Sequence, residues 1–290
     1  MSSELRRLRV LLLLGGLLSQ VVQWGGAPPH AAAFSAIAQG HGFDTCAAPT
    51  SATMDKWWPG TPFFNIGIYI GGANRGCAQP NLTEAWIDHQ QATGWGLLPI
   101  WFGRQMGNPS CTNKHVWNTN ISTNTTTAYN QGHDEAVAAY DAAVALGFDT
   151  ANMPLIYDLE AYSGGTSSST TCRNAAKSFL KGWADFLELP TAQKSGVYGS
   201  ACGSHMDDFA SNGNPPDFIW FGDWTGNTHT SVVTNNCIGA GHWVNNQRHK
   251  QYAGPHKETW NGVAINIDSD CSNGPVYFNS NRFNAGSDCL

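Results

Sequence analysis

The sequence predicts an α/β fold in which eight strands close into a (β/α)₈ barrel, and three observations support this. Short apolar runs recur along the chain, and most are continuous rather than alternating, as in parallel strands buried on both faces. Segments with helical periodicity lie between several of these runs, which is typical of a parallel sheet covered by helices. The 290-residue chain is long enough for one large domain of this kind.

The first 33 residues have the composition of a secretory signal. Three arginines among the first nine residues precede an apolar stretch from Val10 to Leu18, and the small residues Ala31–Ala33 follow. The apolar stretch is too short and too interrupted by glycine for a membrane span. We therefore expect residues 1–33 to be a signal peptide and residues 34–290 to be a mature single domain. The protein should be secreted or held in the cell envelope, with no membrane segment after cleavage.

Charge and cysteine content narrow the class of protein. The formal net charge is −6 and only 12% of the residues are charged, which argues against a disordered acidic tail and a nucleic-acid-binding surface. All eight cysteines fall in the expected mature domain, and none has the CxxC spacing of zinc or thioredoxin-like sites. An even number of cysteines in an exported chain predicts a disulfide-stabilised domain, with the pairing left open. We expect neither a metal nor another cofactor.

The predicted elements follow one another in a regular order. The first strand ends in GFDT, and the next seven are NIGIYIGG (65–72), GLLPIWFGRQ (96–105), MPLIYDLEAY (153–162), SGVYGS (195–200), DFIWFGDW (217–224), RHKQYAG (248–254) and GVAINIDSD (262–270). Helical spacing of apolar residues predicts helices over 81–94, 133–147 and 170–190. Two polar stretches, 103–130 and 226–246, are predicted to be long loops after the third and sixth strands. Loops in these positions wall the active face of such barrels.

Four acidic residues fall at the ends of predicted strands. Asp158 and Glu160 end the fourth strand, and residues i and i+2 of a strand point to the same face. Their carboxyl groups should therefore emerge side by side where barrel enzymes carry catalytic groups. Asp44 ends the first strand and Asp268 the last. Because these strands are neighbours in a closed barrel, the two acids should stand close together, across the mouth from the first pair.

Such carboxyl pairs are typical of enzymes that cleave glycosidic bonds. One carboxyl group, its pKa raised by apolar walls and a neighbouring charge, protonates the leaving oxygen, while the other stabilises positive charge or assists a nucleophile. Further candidates for sugar binding lie on or just after strands. These are Trp101, Tyr198, Trp220 and Trp224, with Asp223 as a fifth acid. An ordinary core explains the aromatic residues equally well, and strand-end acids also cap helices or pair with arginine.

The order of these motifs resembles the glycoside-hydrolase-like domain of unknown function 1906, a family similar to the lysozymes of glycoside hydrolase family 25. The resemblance covers nearly all of residues 34–290. It implies that Glu160 is the general acid/base, and that Asp158 orients or stabilises an intermediate formed with the substrate's acetamido group. Asp44 and Asp268 would be supporting acids. Gln251 and Tyr252 match a QY pair that ends the seventh strand in those lysozymes, which implies a place in the substrate site.

The expected function is therefore a secreted glycoside hydrolase that acts on a cell-wall polysaccharide, with peptidoglycan implied by the resemblance to lysozymes. The alternative is a glycan-binding protein of the cell envelope that has kept the barrel and lost catalysis. The eight cysteines and the long polar insertions are not part of the lysozyme pattern. The identity of the glycan, its linkage and the oligomeric state stay open.

Overall fold

A computed structural model describes residues 34–107, 111, 116–148, 152–162, 170–224 and 235–278. The strands are β1 (Phe34–Ala38), β2 (His41–Thr45), β3 (Phe63–Gly71), β4 (Gly96–Trp101), β5 (Pro154–Asp158), β6 (Lys194–Ser200), β7 (Phe218–Gly222), β8 (Arg248–Trp260) and β9 (Val263–Phe278). The helices are α1 (Ser51–Trp57), α2 (Glu84–Thr93), α3 (Thr125–Ala145) and α4 (Thr170–Glu188), with a 3₁₀ helix at Met206–Ser211. The predicted signal, residues 1–33, lies outside the described residues, and the two predicted long loops are described only in part.

Strands β2 to β9 form the closed eight-stranded barrel that the sequence predicts. From β2 to β8 each strand pairs in parallel with the next. The last strand, β9, closes the ring by pairing with both β8 and β2, and β1 pairs with its second half. Helices α1 to α4 follow the first four strands of the barrel. The end of the barrel at which β2 to β8 finish is called the mouth below.

The last strand differs from the prediction because it runs antiparallel to both of its neighbours. A two-residue turn causes the reversal, with positive φ angles of 49° at Asn261 and 77° at Gly262. An Asn-Gly pair with this backbone makes the tight turn of a β-hairpin, so no crossover helix intervenes. Asp268 consequently lies within β9 rather than at its end, and it still reaches the mouth because the strand starts there.

One helix, α3, begins earlier than its apolar pattern indicates. Helix α3 starts at Thr125, within the stretch predicted to be a loop. Its N-cap is Asn124, whose Oδ1 accepts a hydrogen bond of 3.0 Å from the backbone of Thr127. The prediction was wrong here because the first turn is polar and carries no apolar stripe. None of the helices among the described residues combines the length and hydropathy that crossing a membrane requires.

The core consists of two apolar layers on either side of the barrel wall. Alternate strand residues fill the barrel itself, including Leu98, Ile156 and Trp220. The residues between them pack outward against the helices, as Leu155 and Tyr157 do. Side chains therefore fill the lower interior of the barrel, as in other closed barrels of this size.

Among the described residues, three disulfides join segments that follow consecutive strands of the barrel. Cys46–Cys77 links the segments after β2 and β3, Cys111–Cys172 those after β4 and β5, and Cys202–Cys237 those after β6 and β7. The six cysteines of these bonds lie on the side of the mouth. The predicted disulfide stabilisation is confirmed, and these bonds fix the walls around the mouth.

Candidate active site

Gln251 on β8 connects two of the four predicted acids. Asp44 on β2 and Asp268 on β9 are opposite each other in the strand register. The Gln251 Nε2 donates to Asp44 Oδ2 at 2.7 Å and to Asp268 Oδ2 at 3.3 Å. Its Oε1 accepts hydrogen bonds from the Tyr198 hydroxyl at 2.8 Å and the Trp224 indole at 2.9 Å. One amide group therefore orients two carboxyl groups and two aromatic side chains.

The other two acids, Asp158 and Glu160, lie two residues apart where β5 ends. Asp158 is buried, and its carboxylate accepts a hydrogen bond from the Tyr69 side chain, whereas Glu160 is half-buried. The buried Gln105 side chain holds the backbone between them. Its Nε2 donates to the Asp158 carbonyl at 2.6 Å, and its Oε1 accepts from the Glu160 amide at 2.9 Å. These two hydrogen bonds fix where the Glu160 side chain enters the mouth.

Burial and mutual repulsion shift the acids of this cluster toward their protonated forms. Burial raises the pKa of Asp44 well above its ordinary value, and the charges of Asp268 and Glu160 raise it further. Burial, then the charges of Glu160 and Asp44, likewise raise the pKa of Asp158. The less buried Asp268 has its pKa raised to about 6, mainly by burial. The cluster thus holds protons at a pH where isolated carboxyl groups are ionised, as a general acid must.

Two cavities open beside these acids. One, of about 220 Å³, is lined among others by Asp44, Tyr69, Arg75, Phe102 and Asp268. The other, of about 370 Å³, is lined among others by Glu160, Tyr198, Asp223, Trp224 and Asn235. Asp44 and Asp268 therefore face one cavity and Glu160 the other, while the buried Asp158 lines neither.

Several predicted binding residues lie in the larger cavity. The carboxylate of Asp223 accepts a hydrogen bond of 2.9 Å from Asn235, and Lys250 Nζ lies 3.4 Å from it. Trp224 is 60% exposed even though its indole nitrogen bonds to Gln251, so a face of the ring is open to a sugar. The structure brings Tyr198, Asp223, Trp224 and Gln251 together with the acids.

Trp101 and Tyr252 lie elsewhere, on the outer face of the barrel. Trp101 follows the inward Ile100, and its indole nitrogen donates to Glu135 of α3 at 2.5 Å. Tyr252 follows the inward Gln251 and packs against Cys271. Successive strand residues point to opposite faces, so neither ring is brought to the acid cluster. Their role in substrate binding stays a prediction.

One acidic residue of the mouth, Asp270, was not among the predicted site residues. Asp270 lies two residues after Asp268 on β9, is 1% exposed, and accepts a hydrogen bond of 3.2 Å from the Trp220 indole. Burial and the charges of Asp44 and Asp268 raise its pKa well above the ordinary value. The signal was present, because INIDSD carries two acids at the same i, i+2 spacing as YDLE. Among the described residues, no group of three or more His, Cys, Asp or Glu side chains is arranged to hold a metal ion.

Comparison with known proteins identifies the family. The profile of the family described as "Rv2525c-like, glycoside hydrolase-like domain" matches residues 55–272. No relative was found among curated proteins. A crystal structure of an uncharacterized B. stearothermophilus protein is 14% identical, with a TM-score of 0.51 over 80% of this chain and 95% of that one. This similarity supports the fold alone.

Two further solved structures have lower TM-scores. One is the catalytic domain of endolysin ply40 from bacteriophage P40 of Listeria monocytogenes, 15% identical with a TM-score of 0.48, covering 81% of this chain and 93% of that one. The other is the bacterial lysozyme from Streptomyces coelicolor, 16% identical with a TM-score of 0.46, covering 82% and 94%. Neither adds to the assignment at these scores. The family match carries the assignment, because it spans most of the chain and confirms the resemblance carried by the motifs. The chain belongs to the Rv2525c-like family of glycoside hydrolase-like domains.

Proposed function

We propose that the protein is a secreted glycoside hydrolase that cleaves a cell-wall polysaccharide of the peptidoglycan type by carboxylate acid–base catalysis. The observation that carries this proposal is the convergence of Asp44, Asp158, Glu160 and Asp268 at the mouth of the barrel, between two cavities. Membership of a glycoside hydrolase-like family supports the same class of reaction.

Glu160 is the proposed general acid. It is the acid of the β5 pair that lines an open cavity, whereas Asp158 is buried behind it. Repulsion between the two carboxyl groups favours a state in which the pair keeps one proton. Glu160 delivers a proton to the leaving glycosidic oxygen and later takes one from the attacking water. Asp158, which accepts a hydrogen bond from Tyr69, orients or stabilises the intermediate.

Asp44 and Asp268 are the proposed supporting acids on the other side of the mouth. Gln251 fixes both carboxyl groups, so they face the reacting sugar in one arrangement. Positive charge that develops on the sugar ring is stabilised by whichever of these groups is ionised. The exposed face of Trp224 and the ring of Tyr198 provide stacking surfaces for the sugar units beside the cleaved bond.

Export and the cell-wall substrate rest on two further observations. Three disulfides join the walls of the mouth, and disulfides persist in oxidising compartments outside the cytosol. Residues 1–33 have the composition of a signal peptide. The motifs shared with lysozymes favour a polysaccharide of the cell wall over other glycans.

The direct test compares the wild type with Glu160→Gln on purified peptidoglycan and a panel of other polysaccharides. Loss of a general acid lowers the rate about 10²- to 10⁴-fold, so we expect a decrease of that size in released reducing ends. Glu84→Gln, on the exposed first turn of α2, is the matched control and should retain full activity. Equal product release by the wild type and Glu160→Gln would refute the catalytic assignment. Glycan binding without turnover in both proteins would instead select the binding protein of the cell envelope.

A further inference from the structure

The smaller cavity is lined by a positively charged side chain, that of Arg75, which the proposed catalysis does not use. Arg75 lines this cavity together with Asp44 and Asp268. Its Nη1 lies 3.4 Å from the carbonyl oxygen of Ile70, which is long for a hydrogen bond. The ion pairs found among the described residues do not include Arg75. Most of its five N–H donors are therefore available to a ligand in the cavity.

The loop that carries Arg75 is fixed from several sides. The neighbouring side chain of Asn74 is buried, donates to the Gly103 carbonyl at 2.7 Å and accepts from the Asn118 amide at 2.8 Å. Gly72 has a φ of 105°, and a Cβ there would lie 2.1 Å from the carbonyl oxygen of Phe102. Only glycine allows this approach of the two loops.

The remaining walls of the cavity suit a sugar unit. Phe102 and Pro255 give it apolar surfaces, and Asn266 adds a polar group. The disulfide Cys46–Cys77 lies at its edge and ties the Arg75 loop to the end of β2. A cation presented on such a preorganised loop loses little conformational entropy when it binds a ligand.

We propose that Arg75 binds a free carboxylate on the sugar unit that occupies this cavity, so that the substrate is a carboxylate-bearing polysaccharide. The planar guanidinium can pair with a carboxylate through two parallel hydrogen bonds. The one guanidinium among the described residues that line this cavity matches one negative charge, which suits a carboxylate better than a doubly charged phosphate. The inference rests on the proposed function, because it names the substrate class of the same site. A uronic acid and the lactyl ether of a muramic acid that carries no peptide would both supply this group.

Binding measurements on the full chain carrying Glu160→Gln, which removes turnover, test the inference. The probes are oligosaccharides of alternating N-acetylglucosamine and N-acetylmuramic acid with free lactyl carboxylates, and uronate oligosaccharides, each beside its carboxyl-amidated form. Isothermal titration calorimetry should show one carboxylated probe binding at least tenfold more tightly than its amidated form. The preferred probe identifies the source of the carboxylate.

Substitution of Arg75 should weaken the binding of carboxylated probes only. Adding Arg75→Gln should remove the tenfold preference and leave the affinity for the amidated probe unchanged, while Arg75→Lys keeps part of the preference. Arg104→Gln, which removes an arginine paired with Glu135 outside both cavities, is the matched control. The inference is overturned if no carboxylated probe is preferred tenfold, or if the preference survives Arg75→Gln. Because these measurements need no catalysis, failure of the hydrolase assignment would appear separately, as absence of turnover by the wild type.

Discussion

At the scale of single residues, the chemistry of Gln251 explains how several acids share one mouth. An amide side chain offers donors on one end and an acceptor on the other. Gln251 uses its donor end for Asp44 and Asp268 and its acceptor end for Tyr198 and Trp224. A carboxylate at this position would add another negative charge and would have no proton to donate to its neighbours. The neutral amide is therefore what allows the surrounding acids to be held close together.

Asp270 gives a test of the electrostatics at this scale. Its Oδ2 has no hydrogen-bond partner among the described residues, and its pKa is raised by burial. Between its unfolded and folded pKa values the folded protein binds more protons than the unfolded chain, so this group makes stability fall as pH rises. The asparagine introduced by Asp270→Asn resembles the protonated aspartate side chain, so this substitution removes the loss of stability at high pH. Each unit of pKa difference corresponds to about 1.4 kcal/mol.

We therefore expect Asp270→Asn to raise the melting temperature by several degrees at pH 8, with no gain near pH 4, where the wild-type group is already protonated. Calorimetric unfolding across this pH range measures the effect. A gain that does not depend on pH, or a loss at pH 8, would contradict the raised pKa of Asp270.

The site residues differ in how readily the sequence predicts them. Asp158 and Glu160 were found because strand geometry places i and i+2 on one face, which requires no tertiary information. The outer placement of Trp101 was missed because its predicted strand was assigned without deciding which residues point inward. Arg75 was missed for another reason: its role depends on contacts of Asn74 with a distant loop, which leave no local pattern.

At the scale of elements, the hairpin of β8 and β9 determines which acids reach the mouth. The strand β9 starts at the mouth, so Asp268 and Asp270 both point into the barrel near the end of β2. A parallel last strand would have required a crossover connection instead. The Asn261–Gly262 turn was readable from the sequence as a hairpin signal. Regular alternation of strands and helices earlier in the chain favoured the parallel interpretation that the structure corrects.

Helices α3 and α4 pack through two glycines. A Cβ at Gly132 would lie 1.9 Å from the carbonyl oxygen of Phe179, and one at Gly182 would lie 2.0 Å from that of Tyr129. The backbones of the two helices therefore touch directly at these points. The apolar stripe predicted α4 well, since the predicted 170–190 is close to the observed Thr170–Glu188. The stripe gave no sign of this contact, because glycine contributes no side chain to it.

Gly132→Ala should destabilise the protein although alanine ordinarily favours a helix by about 1 kcal/mol. The added methyl group has to separate the two helices, and overpacking of this kind costs about 1–3 kcal/mol. We expect the melting temperature to fall by several degrees in thermal unfolding. Gly241→Ala, where no heavy atom lies within 4 Å of the added Cβ, is the control and should change little. Unchanged or increased stability of Gly132→Ala would show that α3 and α4 do not meet at this point.

At the scale of the whole molecule, the closed barrel and the disulfides hold an arrangement that electrostatics alone would disperse. The acids of the mouth repel one another and are taken out of water, so their positions depend on strand pairing and on the fixed loops around them. The sequence predicted the barrel, because eight strands and their acids recur in order. It left the cysteine pairing open, because a disulfide depends on which loops become neighbours after closure.

The most direct test of the central claim is hydrolysis of peptidoglycan in water enriched in oxygen-18, followed by mass spectrometry of the released glycan fragments. Carboxylate-catalysed hydrolysis places one oxygen atom from water at each new reducing end. We therefore predict singly labelled reducing ends from the wild type and a loss of about 10²- to 10⁴-fold in labelled product from Glu160→Gln. Fragments without the label, or equal labelling by both proteins, would contradict hydrolysis by the acid cluster of this barrel.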